Sequence, residues 1–169
     1  MFTENYYFYG LHAQQATALY QNISNVDGVN RKVFNRLVDV LVCAPLVGFL
    51  YQRKADLDQT TEGRANVMAE QVIREQKRLE TDYCLITLLD KEEEPDINKR
   101  LDRAFRGVDE DVKKGRELFD AYARGGVEVL YENIIGTTND ESEIIGNLYD
   151  FVNDFEERFN ASIRDTISS

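Results

Sequence analysis

The residues with the greatest catalytic potential are one histidine and two cysteines. His12 is the only histidine, so nucleophilic catalysis of the Ser–His or Cys–His kind would have to pass through it. Its surroundings, Leu-His-Ala-Gln-Gln, match no catalytic motif. Cys43 and Cys84 stand far from His12 and show none of the pair spacings of a zinc site. The sequence therefore predicts no catalytic residue, no cofactor and no metal, and it favours free thiols in a reducing cytoplasm.

Carboxylates are numerous, but their spacing is not that of a known metal loop. The run from Asp90 to Asp96 lacks the alternating ligands and the central glycine of an EF-hand. Residues 138–143 are better explained as a helix start, where acidic side chains meet the positive end of the helix dipole. We interpret both runs as solvated charge.

The net charge of −11, from 31 acidic and 20 basic residues, is unevenly distributed. It argues against direct binding of nucleic acid or of an anionic membrane surface. Residues 99–124 are the exception, with eight basic and six acidic side chains. Arg100, Arg103 and Arg106 are expected to share part of a helix surface opposite Ile97, Leu101 and Phe105. They form either a solvated face with internal ion pairs or a contact patch for phosphates or an acidic partner.

Five aromatic residues lie within positions 2–9: Phe2, Tyr6, Tyr7, Phe8 and Tyr9. Because four of them are contiguous, no single face of a helix or strand can bury them all. Tyr6, Tyr7 and Tyr9 are therefore candidate partner-binding residues, since tyrosine suits half-wet interfaces. Segment 1–10 is either an interaction arm or a strip packed against the domain.

The elements that position these residues follow from apolar spacing. Between Phe34 and Leu50 apolar residues recur at steps of three and four, which predicts a core helix. Asn30 is expected to cap it after a turn over 25–30, and Pro45 to kink it. Its apolar stretch is too short to span a membrane. Leu41 in this helix and Phe155 in the last one are predicted to be fully buried.

Similar spacing predicts the other helices, and no alternation of strand period is found. The longest helix is expected over 60–91, with Pro95 opening the next, and Gly125-Gly126 is expected to end a helix that starts at Asp109. The remaining helices are expected over 11–21, 97–107, 127–136 and from about 141 onward. The predicted fold is all-α: a single-domain bundle, residues 1–169, of about seven helices, one kinked at Pro45.

Two stretches carry a family resemblance. Residues 34–53, FNRLVDVLVCAPLVGFLYQR, and residues 118–130, LFDAYARGGVEVL, resemble segments of small helical accessory proteins associated with bacterial DNA phosphorothioation-dependent restriction and anti-phage defence systems. The order of the two stretches, with a long charged helix between them, is also similar. The resemblance implies a helical component of a multi-protein system and implies no catalytic residues.

Two functions remain open at this point. The first is a non-enzymatic, cytoplasmic protein–protein interaction subunit whose partner is a larger protein of the same system, with homo-oligomerisation left open. The second is an acidic decoy that imitates DNA and blocks a nucleic-acid-binding protein. The decoy would rely on carboxylates of the last helix, among them Asp150, Asp154 and Glu157.

Overall fold

Seven α-helices and a two-stranded sheet make up the described part of the computed structural model. It describes residues 1–23, 31–107 and 109–168, with backbone alone for Asp109 and residues 162–168. The elements follow the chain as β1 Tyr6–Tyr9, α1 Gly10–Tyr20, α2 Leu37–Leu50, β2 Arg64–Val67, α3 Ala69–Arg74, α4 Gln76–Leu89, α5 Ile97–Leu101, a π-helical turn π1 Asp102–Arg106, α6 Asp109–Leu130, a second turn π2 Tyr131–Ile135, and α7 Glu141–Ser168. The prediction of a largely all-α single domain is confirmed. Among the described helices, none is long and apolar enough to cross a membrane.

Helices α2 and α6 form the most extensive packing contact in the fold. A Cβ atom at Gly126 would lie 1.7 Å from the carbonyl oxygen of Ala44, and one at Gly48 would lie 2.1 Å from that of Tyr122. The backbones therefore touch directly, and only glycine fits there. The prediction that Gly125-Gly126 ends a helix is wrong, because α6 continues to Leu130. Gly125 and Gly126 therefore allow close packing of α6 on the chain around it and do not end the helix.

The two strands were not predicted from the sequence. β1 and β2 pair antiparallel, with Tyr6 opposite Val67 and Phe8 opposite Ala65. β1 buries Tyr6 and Phe8 and leaves Tyr7 and Tyr9 more exposed. Each strand is only four residues long. The alternation in β1 is hidden because the residues of both its faces are aromatic.

Several helix boundaries also differ from the predictions. The single helix expected over 60–91 is a strand followed by α3 and α4, with a break at Glu75, and α7 is the longest helix. Helix α2 begins only at Leu37, where Arg36 and Asp39 form the cap. Asn30 and the turn over 25–30 lie outside the described residues. Pro95 precedes the cap residue Asp96 instead of opening α5.

The core confirms one of the two burial predictions. Leu41 is fully buried between α2 and its neighbours. Phe155 is only half-buried, so its predicted burial is wrong. Its ring lies near that of Phe151 on the same helix. Helix α7 packs against π2, and Phe151 stacks on Tyr51 at the end of α2. Pro45 lies inside α2, and the kink there stays a prediction.

Candidate partner-binding surface

His12 lies at the buried end of a hydrogen-bonded network that links three parts of the fold and reaches the surface at Arg53 and Glu132. Its side chain is 4% exposed, and its Nε2 lies 3.0 Å from Oε1 of Glu128 on α6. The other oxygen of Glu128 accepts a hydrogen bond from Arg53 Nε at 2.9 Å. Arg53 also donates to Glu132 at 3.0 Å. The network holds α1 and the segment after α2 against α6. His12 therefore has a structural role here.

A second polar centre surrounds Asp90 at the end of α4. Tyr122 donates a hydrogen bond to Asp90 at 2.7 Å, and the ammonium of Lys54 lies 3.4 Å from the same carboxylate. Burial opposes ionisation of Asp90, but the hydrogen bonds from Tyr122 and from the backbone of Glu93, together with Lys54, outweigh it and lower its pKa. Lys54 also lies over the Tyr122 ring at 5.2 Å. This centre fastens the Lys54 segment to the bundle.

The three arginines do not share a solvent-facing surface. Arg100 is 5% exposed, and Arg103, with its side chain 10% exposed, donates to Glu94 at 3.0 Å. Only Arg106 is open to solvent, where it pairs with Asp102 at 2.9 Å. The predicted orientation of this segment is wrong, because Ile97 and Phe105 point outward instead.

The turn π1 explains the outward position of Phe105. Its backbone bond from Gly107 to Asp102 spans five residues, so the 3.6-residue spacing assumed from sequence no longer holds from Asp102 onward. Ile97 and Arg100 lie before that turn, in α5, which packs on α4 with Arg100 buried. Glu94 also attracts Arg103 inward, and long arginine stems bury readily along apolar surface. A partner-binding role for Arg100 or Arg103 would therefore need this packing to open.

The N-terminal tyrosines divide between the two faces of β1. Tyr6 is 7% exposed, and a side chain inside the core does not reach a partner. Tyr9 is 39% exposed, and Tyr7 lies under the guanidinium of Arg64 at 4.7 Å. With Phe2 and Phe8 buried, the segment is packed on the domain. A contact role for Tyr7 and Tyr9 stays a prediction.

An apolar groove runs along the outer side of α4 beside π1. It has a volume of about 380 Å³ and is lined by Lys77, Glu80, Thr81, Cys84, Leu85, Leu88 and Phe105. Phe105 is 64% exposed and Leu85 is 43% exposed, so large apolar surface meets solvent here. Cys84 donates its thiol proton to the carbonyl of Ala104 at 3.2 Å, which fixes one wall against π1. We call this feature the α4–π1 groove.

A second groove of about 340 Å³ continues from the first along α4 and reaches α2. Both include Lys77 and Thr81, and the second adds Val42, Leu46 and Asp82. Asp82 is 6% exposed, and its Oδ2 has no hydrogen-bond partner among the described residues. Burial raises the pKa of Asp82 to about 6.

The α4–π1 groove is mainly apolar and has charged residues at its rim. Leucine and phenylalanine side chains with a polar rim of Lys77 and Glu80 resemble the composition of a protein–protein contact. Within the described residues, no group of three or more histidine, cysteine or acidic side chains could hold a metal ion. The free thiols Cys43 and Cys84 are both half-buried.

Comparison with known protein families identifies the chain. The family model described as DNA sulphur modification system-associated protein 4 matches residues 12–164. The chain belongs to this family. The match confirms the resemblance seen in residues 34–53 and 118–130 and extends it over nearly the whole chain. Searches of curated proteins and of solved structures gave no match.

The residues that line the α4–π1 groove of this family member were not singled out by sequence reasoning. Phe105 was assigned to the core because it follows Leu101 at helical spacing, which the turn π1 invalidates. Leu85 and Leu88 did offer a signal, since they are apolar residues next to the helical stripe that includes Tyr83 and Ile86, both of which are buried in the core. Apolar residues outside the main stripe of an amphipathic helix indicate a second contact surface.

Proposed function

We propose that this member of the DNA sulphur modification system-associated protein 4 family is a non-enzymatic accessory subunit. It acts by binding another protein of the modification system through the α4–π1 groove. The observation that carries the proposal is the apolar cluster around that groove, formed by the exposed side chains of Leu85 and Phe105 and the half-buried Leu88. Membership of the family supports the assignment to the system.

The groove has the features that concentrate binding energy. A phenylalanine ring that is 64% exposed stands beside a leucine that is 43% exposed, and both are held by well-packed elements. Such a ring becomes an anchor when a partner covers it, because aromatic side chains near the centre of an interface carry most of its energy. Covering a leucine or phenylalanine contributes roughly 1.5–3 kcal/mol per fully buried side chain.

The experiment is co-purification of the tagged protein with the other proteins of its modification system, expressed together. Phe105→Asp and Leu85→Asp should each strongly reduce capture, because burying a new charge in the groove carries a large desolvation cost. Leu57→Asp is the matched control. The exposed fraction of Leu57, 45%, is similar to that of Leu85, but Leu57 lines a different surface beside Tyr9. It should leave capture intact.

Two results would contradict the proposal. Capture that is undiminished in both Phe105→Asp and Leu85→Asp would mean that the groove is not the contact. Capture lost only in Leu57→Asp would transfer the contact to the surface around Tyr9. Thermal melting of each variant separates loss of contact from loss of fold, since all three positions are exposed and should tolerate the change.

A further inference from the structure

Helix α7 carries apolar side chains on two different faces. One face packs on the domain: Ile144 and Phe151 are buried and Leu148 is half-buried. A second set points to solvent, with exposures of 50% for Ile145, 68% for Tyr149, 54% for Val152 and 51% for Phe159. The second set is unusual, because large apolar side chains at such exposure are rarely aligned on a single helix without a partner.

The spacing of the exposed set is that of a coiled-coil seam. The steps from 145 to 149 and from 149 to 152 are four and three residues, and Phe159 follows one heptad after Val152. Glu156 occupies the remaining seam position and is exposed. A heptad seam of this length extends over about 20 Å of helix. A polar residue at one seam position fixes the register of the helix that packs on it.

Charge decides what kind of helix fits this seam. Residues 141–161 contain six acidic side chains and one basic one, Arg158. Arg158 is already paired with Asp154 at 2.7 Å on the same helix. Glu156 lies in the seam itself, and Asp150 and Glu157 are exposed farther round the same helix. A second copy of α7 would bring two strongly acidic helices together, which disfavours self-pairing.

From the heptad spacing, the glutamate in the seam and the acidic charge of the helix together, we propose that α7 is a docking surface for a basic amphipathic helix of a partner protein. The partner presents apolar residues at heptad spacing to Ile145, Tyr149, Val152 and Phe159. Lysine or arginine side chains flank its apolar stripe, and one of them faces Glu156. This surface is built from elements other than those of the α4–π1 groove, so the protein has two contacts of different chemistry.

The probe that tests the proposal is a synthetic amphipathic peptide about three heptads long, with leucine at the seam positions and lysine at the flanks. Fluorescence anisotropy measures its affinity for the full-length protein. A scrambled peptide of the same composition keeps the charge and loses the stripe. We expect the scrambled peptide, and a peptide with glutamate in place of lysine, to bind at least about tenfold more weakly.

Two neighbouring variants separate apolar contact from simple charge attraction. Val152→Asp and Asn153→Asp add the same charge at adjacent exposed positions, but only Val152 belongs to the seam. Val152→Asp should weaken the binding of the lysine peptide by about tenfold or more, whereas Asn153→Asp should leave it equal or slightly tighter. Phe105→Asp, in the other groove, should change nothing. Tyr149→Asp repeats the test if Val152→Asp lowers the melting temperature.

Three results would overturn the proposal. The scrambled peptide could bind as well as the amphipathic one, or Val152→Asp could bind it as tightly as the unmodified protein does. Either would reduce the effect to unspecific attraction between opposite charges. The protein alone could also sediment as a dimer that Val152→Asp dissociates, which would assign the seam to a second copy of this chain.

Discussion

At position 126 the fold has no space for a side chain. The carbonyl oxygen of Ala44 would lie 1.7 Å from a Cβ atom there, and the amide nitrogen of Gly48 2.9 Å from it. Both are backbone atoms, so neither can rotate away as a flexible side chain could. At this scale the sequence identified a glycine pair but not its use, because a helix stop and a close helix contact require the same residue.

We therefore expect Gly126→Ala to destabilise the protein by about 1–3 kcal/mol or more, because α2 and α6 must separate to admit the methyl group. Gly146→Ala is the control, since a Cβ there meets no atom within 4 Å. That change should stabilise α7 by about 1 kcal/mol, from helix propensity alone. Urea denaturation measures both. Equal midpoints for the two variants would contradict the close approach.

Asp82 supplies a pH-dependent prediction at the same scale. Burial raises its pKa from 3.8 to about 6 in the folded protein, so the folded state holds the proton more tightly than the unfolded state does. The free energy of unfolding contributed by this group is therefore highest below pH 4 and falls as the pH rises toward 6 and beyond. At pH 7.5 the ionised carboxylate therefore lowers the free energy of unfolding by roughly 3 kcal/mol at most.

Asp82→Asn should remove that cost. We expect the variant to be more stable than the unmodified protein at pH 7.5 and to lose this advantage near pH 4.5, as measured by urea midpoints at both values. Asp154→Asn serves as the control, because hydrogen bonds from Tyr51 and Arg158 lower the pKa of Asp154. It should show no such gain at pH 7.5. An advantage of Asp82→Asn that is independent of pH would mean that the carboxylate is solvated.

At the scale of elements, the sequence predicted helices well where the apolar period was long and uninterrupted. Helix α1, the core helix α2 and the start of α7 lie close to the expected positions. The strands and the division between α3 and α4 were not predicted, because these segments are too short to show a clear apolar period. Tertiary pairing decides such segments: β1 exists only because β2, nearly sixty residues later in the chain, pairs with it.

The exposed apolar surfaces of α7 and π1 show the same limit of prediction from sequence. Heptad-spaced apolar residues in α7 were visible in the sequence, but periodicity alone does not tell which of two stripes faces the core. The face on which Phe105 lies was misassigned for a related reason, since the turn π1 changes the residue spacing from Asp102 onward. Helix α5 precedes that turn, and its orientation follows from its packing on α4. Packing, rather than local pattern, decides both cases.

The inverted face changes what charge reversal should do. Arg103→Glu should lower the free energy of unfolding by about 3–5 kcal/mol, because it leaves Glu94 buried beside a like charge. Arg106→Glu should change it by less than about 1 kcal/mol, since the ion pair with Asp102 is exposed to solvent. Thermal melting compares the two. Similar melting temperatures would mean that Arg103 faces solvent after all.

At the scale of the whole molecule, the decoy hypothesis depends on α7, where exposed carboxylates and exposed apolar side chains are interspersed. A decoy of DNA needs rows of carboxylates that imitate phosphate spacing, with little apolar surface between them. On α7, Ile145, Tyr149, Val152 and Phe159 interrupt the exposed carboxylates Asp150 and Glu157. Asp154 already accepts hydrogen bonds from Tyr51 and Arg158. This distribution favours a protein partner over the decoy hypothesis.

A competition experiment tests that conclusion directly. In a mobility-shift assay with DNA and the DNA-binding proteins of the same modification system, an excess of this protein should leave the DNA bound or shift the complex to a larger one. Displacement of the DNA is the result expected of a decoy. It should then grow stronger at low salt and fall when Asp150→Asn and Glu157→Gln are combined, because exposed charges are screened within about 8 Å at physiological ionic strength. Displacement that instead requires Phe105 would reflect competition for a protein surface, and the groove would then overlap the DNA-binding site of the partner.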